Sequence, residues 1–254
     1  MYPVKTNKLT VTSKDLPEAF DNFSIAHISD LHNAEYGKNN EKLIDILKAE
    51  SPNIIAITGD LIDSNHTNLE VALSFAQQAV KIAPCYFVTG NHEARVKVED
   101  EIDNVKLNEN VIVLHNKDVL IKKGESVIQL IGVDDPDYKA VKDSTEYMSK
   151  RLEKYCNNEY FKILLSHRPE LFEVYVENEM NVIFSGHAHG GQFRLPFIGG
   201  VIAPHQGFFP KYDAGLYYAT DDTTMVVSRG LGDSIIPLRI NNPPELVVVT
   251  LEKN

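Results

Sequence analysis

Five short motifs bring together side chains able to hold metal ions: Asp30-Leu31-His32, Gly59-Asp60, Gly90-Asn91-His92-Glu93, Ser166-His167 and Gly186-His187-Ala188-His189. They supply seven candidate ligands, namely Asp30, His32, Asp60, Asn91, His167, His187 and His189. This mixed oxygen and nitrogen set suits Mn, Fe or Zn. A lone histidine is usually structural, but seven such residues in compact motifs point to a metal site. The Asp60 carboxylate has two oxygens and can bridge two ions, and sharing it is the assignment that fills two sites evenly. Asn91 offers a neutral amide oxygen, a modest ligand that leaves a metal strongly Lewis acidic. Two divalent ions roughly 3.5–4 Å apart hold a hydroxide between them and clamp a phosphoryl group for in-line attack, so no protein nucleophile is needed.

Elements that can position these residues are legible around them. Four of the five motifs follow a short apolar, β-branched run, so their ligands leave the ends of strands and can converge at one sheet edge. The pattern predicts strands at Phe23–Ser29, Ile54–Thr58, Cys85–Thr89, Val111–Leu114, Phe161–Leu165 and Val182–Ser185. A hairpin is expected across Val119–Lys122 and Val127–Val133, turning near Gly124. Helical spacing appears at Leu43, Ile44 and Leu47, from Asn68 to Ala79, and across an acidic segment from Val98 to Leu107. Asp143 with Glu146 resembles a capping box, and Pro169 suits a helix start. Short strands at Leu216–Ala219, Met225–Ser228 and Leu246–Leu251, joined by Gly/Pro-rich loops, suggest an antiparallel or mixed sheet. No repeat or linker interrupts the pattern, so the expectation is one domain over residues 1–254, of two packed sheets flanked by helices.

Composition narrows the function classes. The 254 residues can bury one large core. A net charge of −11 argues against nucleic acid as a partner, which needs a basic face. Cys85 and Cys156 make neither a disulfide framework nor a thiolate metal site, and Cys85 reads as a buried free thiol. Lys5, Lys8 and Lys14 have no apolar segment behind them, and no run approaches the roughly 20 apolar residues of a membrane span. The expected location is cytoplasmic, without signal peptide or transmembrane segment. No obligate protein partner is implied.

The ordered set D-x-H, G-D, G-N-H-E, S-H and G-H-x-H resembles the calcineurin-like metallophosphoesterase superfamily over residues 25 to 190. Ser228-Arg229-Gly230-Leu231-Gly232 with Asn242-Pro243-Pro244-Glu245 is similar to its bacterial YkuE/YaeI-like branch. The resemblance implies an α/β fold, a four-layer α/β/β/α sandwich of two mixed sheets. It implies two divalent ions, the first held by Asp30, His32, Asp60 and His189, the second by Asp60, Asn91, His167 and His187. His92 matches a non-ligand histidine that stabilises or protonates the leaving group. Asp63 stands where some members carry an aspartate orienting that histidine, although it could equally cap the following helix. Two departures are Ala188, where Thr is more common, and the missing hydrophobic N-terminal anchor. The implied activity is hydrolysis of a phosphoester, with a phosphodiester or a nucleotide- or lipid-linked pyrophosphate favoured. A phosphomonoesterase is the alternative within the class, and a metal-bound scaffold without turnover is the alternative outside it.

Other residues carry weaker signals. Glu93 is expected to fix its loop through backbone contacts, and His27 to be a packed or surface side chain. Arg229 and Arg168 are candidate phosphate clamps, because a guanidinium pairs bidentately with phosphate. The alternatives are a solvated ion pair for Arg229 and a helix start for Arg168. His205 is a candidate substrate contact in a Pro/Gly-rich loop soon after the last ligands. The segment 193–210 is unusually apolar for one so rich in Gly and Pro. It reads either as a lip for an apolar substrate portion or a membrane surface, or as Phe197, Ile198, Phe208 and Phe209 packed into the core.

Overall fold

Successive residues of a strand point to opposite faces, and here that alternation sorts the apolar side chains into three layers. The computed structural model describes residues 2–96, 111–139, 141–156, 158–220, 222–233 and 238–254. The sheets contain, in chain order, β1 (Lys5–Ser13), β2 (Phe23–Ile28), β3 (Ile54–Thr58), β4 (Cys85–Val88), β5 (Val111–Val113), β6 (Lys117–Lys123), β7 (Ser126–Gly132), β8 (Phe161–Leu165), β9 (Val182–Ser185), β10 (Gly215–Thr220), β11 (Thr223–Val227) and β12 (Glu245–Lys253). One six-stranded sheet runs β1-β12-β2-β3-β4-β5 and the other β10-β11-β9-β8-β7-β6. Within them β2 to β5 are mutually parallel, as are β7, β8, β9 and β11, while β12 against β2 and the two hairpins are antiparallel.

Between the sheets lie Ile25, Ala56, Tyr86 and Val88 against Leu130, Ile163, Leu165 and Phe184. Outside the first sheet, Ile55, Ile57 and Phe87 pack with Leu43 and Leu47 of α1 (Glu41–Glu50) and Phe75 of α2 (Leu69–Ala79). α3 (Asn91–Val96) follows β4 directly. Outside the second sheet, Leu164 and Ile183 pack with Met148 and Leu152 of α4 (Ser144–Leu152) and Phe172 and Tyr175 of α5 (Phe172–Glu177). Each fully buried Leu or Phe contributes about 1.5–3 kcal/mol. The result is the expected α/β/β/α sandwich of two mixed sheets. Caps set the helix starts, since Asn68 accepts from the Glu70 amide and Asp143 from the Glu146 amide.

The structure adds to the sequence reading in three places. β1 was not expected, yet it pairs in parallel with β12 along its whole length. The C-terminal strands form no separate sheet, because β10 and β11 extend the second sheet while β12 enters the first between β1 and β2. Both faces of β12 are covered, from Glu245 through Val249, as an interior strand requires. Phe197, Ile198, Phe208 and Phe209 are exposed rather than packed into the core. They ride on two small ribbons, Arg194–Leu195 with Gly199–Gly200 and Ile202–Ala203 with Gly207–Phe208, that stand outside both sheets. The helix expected from Val98 to Leu107 lies outside the described residues. Cys85 is a buried free thiol, pushed up to about 12 by burial. Among the described residues no helix is long and apolar enough to cross a membrane.

Candidate metal centre

Parallel strands present their carboxyl ends at one edge, the usual place for a site in an α/β sheet. Asp30 and His32 follow β2, Asp60 follows β3, Asn91 follows β4, His167 follows β8, and His187 and His189 follow β9. Sheet-to-sheet packing therefore brings both groups of loops together. Asp30, His32, Asp60, His187 and His189 all have left-handed φ, between 44° and 65°. That conformation costs non-glycine residues energy and clusters at functional sites. The glycines before them answer to close approach: a Cβ on Gly90 would collide with the Asp60 carboxylate, and one on Gly186 with Ser29 and Asp30.

Donor atoms converge in four groups among the described residues, Asp30/His32/His189, Asp60/His167/His187, His32/Asp60/His92 and Glu170/His187/His205, and the first two gather the expected ligands. In the first, His32 Nε2 and His189 Nε2 are 3.2 Å apart, and Asp30 Oδ1 is 3.4 Å from the latter. In the second, His167 Nε2 lies 3.2 Å from Asn91 Oδ1 and 3.1 Å from His187 Nδ1. Asp60 Oδ2 reaches both, at 3.6 Å from His32 Nε2 and 3.2 Å from His167 Nε2. Asp60 Oδ1 is occupied elsewhere, accepting the His92 amide at 2.8 Å. The Asp30 carboxylate accepts the His187 amide at 3.1 Å, which joins the first motif to the last.

These atoms fit cations. His167 Nδ1 faces the Thr58 carbonyl at 2.7 Å, so its neutral form donates there and leaves a lone pair at Nε2, the atom that faces Asp60 Oδ2 at 3.2 Å. Among the described residues, buried His32 Nδ1 and His189 Nδ1 have no hydrogen-bond partner. Charge tells the same story. Burial, and next the Asp60 charge, push Glu93 up to about 7, and burial pushes Asp30 up to about 6. Burial pulls His32 down to about 4 and His187 and His189 well below the usual histidine range. Burial acts downward on His167 too, yet the facing Asp60 carboxylate raises it to about 10. A proton on His167 thus supplies positive charge where a cation fits better.

His92 stands beside the first group, its ring edge-on to His32 at 4.5 Å. Its Nδ1 accepts the Ser64 amide at 2.9 Å, which puts the proton of neutral His92 on Nε2. Burial lowers its pKa and favours that neutral form. Asp63 Oδ1 is 3.7 Å from His92 Nδ1, beyond hydrogen-bond reach, and instead accepts the Asn65 amide at 2.7 Å. The ring is oriented by the Ser64 backbone, and the helix cap is Asn68, so Asp63 fills neither expected role in this geometry. Glu93 accepts the amides of Asp60 and Gly90 at 2.8 Å and of Ile62 at 3.2 Å, fixing the loop as expected.

Of the three candidate substrate contacts, two come to the centre. His205 Nδ1 is 2.8 Å from His187 Nε2, and the two rings stack. Arg168 is 3% exposed and grips Asp135 with two guanidinium nitrogens, while its third nitrogen donates to His205 at 2.8 Å. Arg229 is engaged by Glu245, and its stem packs beside Gly190. Sequence reasoning missed the Ser64 amide and Asp135. The Asp134-Asp135 pair directly after a strand was the available signal for the second.

Three comparisons bear on these features. Residues 23–191 match the pattern of the calcineurin-like phosphoesterases. The metallophosphoesterase YkuE of Bacillus subtilis is 30% identical over 263 residues, covering 99% of this chain and 86% of that one. A metallophosphoesterase of Aquifex aeolicus is 27% identical, covering 99% and 93%. In architecture the chain is similar to TT1561 of Thermus thermophilus, with a TM-score of 0.55 at 14% identity over 82% of this chain and 89% of that one.

Proposed function

The chain belongs to the calcineurin-like phosphoesterase family and is a metal-dependent hydrolase of phosphoester bonds, and on that premise we propose that it works with two divalent cations on a phosphodiester or a pyrophosphate. The observation that carries this reading is Asp60, whose single free oxygen addresses both donor groups. Asp30, His32, His189 and Asp60 would hold one ion, and Asp60, Asn91, His167 and His187 the other. Mn, Fe and Zn all accept such a set. When bound, the cations supply Lewis acidity toward a phosphoryl oxygen and toward water.

The chain's own residues supply the rest. His92 holds a proton at Nε2, with Nδ1 committed to the Ser64 amide, and donates it toward the departing oxygen. Arg168, locked by Asp135 and bonded to His205, holds positive charge and a fixed donor behind His187. Asp135 and Glu93 position these groups without touching substrate.

Elemental analysis of the purified protein, beside hydrolysis of mono- and bis-(p-nitrophenyl) phosphate after refilling with Mn, Zn or Fe, tests both parts. We expect two ions per chain and diester selectivity. One ion per chain removes the paired-cation reading, and strong monoester preference replaces the substrate class.

A further inference from the structure

We propose that the apolar tip of the first ribbon, together with Phe208 and Phe209 at the open end of the second, docks on a phospholipid surface, so that the metal centre meets its phosphoester at a membrane. The tip of the first ribbon is Pro196-Phe197-Ile198, and the second ribbon runs on into Phe208 and Phe209. Phe197, Ile198, Phe208 and Phe209 are 109%, 62%, 73% and 62% exposed. Two adjacent pairs of such large apolar side chains, on neighbouring ribbons, mark an interaction site rather than ordinary surface.

Backbone conformation strengthens the case. Phe197 and Phe209 have φ of 68° and 55°, a region that bulky residues rarely adopt. Such strain clusters at functional sites, and among the described residues neither ring is buried. The turn of the second ribbon is tied down, because Gln206 exchanges two hydrogen bonds with the Tyr212 backbone.

Charge distribution selects lipid as the occupant. Asp and Glu outnumber Lys and Arg by 36 to 25, yet residues 187–212 contain neither Asp nor Glu. Arg194 and Lys211 sit at the base and pair with Asp213 and Glu173, leaving the tips without charge. Uncharged aromatic and aliphatic tips enter the headgroup–acyl boundary without desolvating an ion, and a fluid layer demands no matching shape. The patch also borders the metal centre, since His205, on the turn of the second ribbon, lies against His187. Docking itself needs no catalysis, whereas delivery of a lipid-borne phosphoester to the centre rests on the reading proposed above.

The test is co-sedimentation with phosphatidylcholine vesicles, with and without phosphatidylglycerol, of the wild type and of the Phe197→Ser/Ile198→Ser double variant. We expect the wild type to partition onto vesicles and the variant to lose at least tenfold in partitioning. Melting temperature and hydrolysis of soluble bis-(p-nitrophenyl) phosphate are expected to stay unchanged. Absence of wild-type binding, or variant binding within twofold of wild type, overturns the proposal. So does a wild-type dimer in sedimentation analysis that the variant abolishes, because the tips would then cover a second copy. Vesicle binding lost in the variant, in a protein inactive with every metal, upholds docking while removing the catalytic reading.

Discussion

Glu93 holds Asp60 by its backbone: the Glu93 Oε2 atom accepts the Asp60 amide at 2.8 Å, while Oε1 takes the Ile62 amide. The loops after β3 and β4 are thereby set by one fully buried carboxylate, and with them the oxygen that addresses both donor groups. Glu93→Gln turns an N–H toward backbone donors. We expect about 1–3 kcal/mol lower stability in urea and weaker Mn binding by calorimetry. Unaltered Mn affinity would show that Asp60 needs no such support.

His92 offers a ring nitrogen within 4.8 Å of donor atoms of His32 and Asp60, yet that ring is held by the Ser64 amide, so its removal separates proton donation from metal retention. His92→Ala is expected to lower kcat by about 10²–10³-fold with metal content unchanged. The loss should be larger for alkyl leaving groups than for p-nitrophenolate, which departs without a proton. Equal losses for both leaving groups would rule out proton donation. Asp63→Asn, by contrast, is expected to leave kcat within a few-fold of wild type, because the Ser64 amide does the orienting.

Arg168 and Asp135 form a buried pair at 3% and 1% exposure. Removing Arg168 strands the buried Asp135 carboxylate, whereas Arg168 keeps Asp137 at 3.0 Å and Glu170 at 3.5 Å when Asp135 is removed, so Arg168→Met should cost about 3–5 kcal/mol in denaturant unfolding and Asp135→Asn less. The double variant should cost clearly less than the sum of the two. Simple additivity would mean that the residues are not energetically coupled.

His27 lies between the sheets, edge-on to Phe184 and 2.7 Å from Thr58 Oγ1. Burial lowers its pKa from 6.5 to about 3. The folded state therefore refuses a proton that the unfolded chain accepts, and stability is lost as pH falls from 6.5 toward 3. Each unit is worth about 1.4 kcal/mol, hence about 2 kcal/mol at pH 5. His27→Gln cannot titrate, so the stability gap between wild type and variant should narrow by about that amount between pH 7.5 and pH 5. A constant gap would show that His27 is protonated in the fold.

Much of the chemistry was legible in the chain itself, because metal ligation depends on residue type and local spacing. Each D-x-H or G-H-x-H motif carries its ligands within a few residues of a strand end, and the apolar runs before them are strong signals. The central strands and the capped helices at Asn68 and Asp143 were legible for the same reason. β1 was not, although Leu9, Val11 and Ser13 alternate toward the interior, because polar Lys and Thr at the other positions dilute the run. The tertiary structure alone decided which atoms meet across long separations. Asp30 and the His187 amide are 157 residues apart, and Arg168 and Asp135 are 33 apart. It likewise chose the Ser64 amide over Asp63 as the partner of His92, and it turned the phenylalanines of the ribbons outward. A hydrogen bond or an exposed ring is settled within a few tenths of an ångström by how two sheets pack, and residue order carries no distance of that kind.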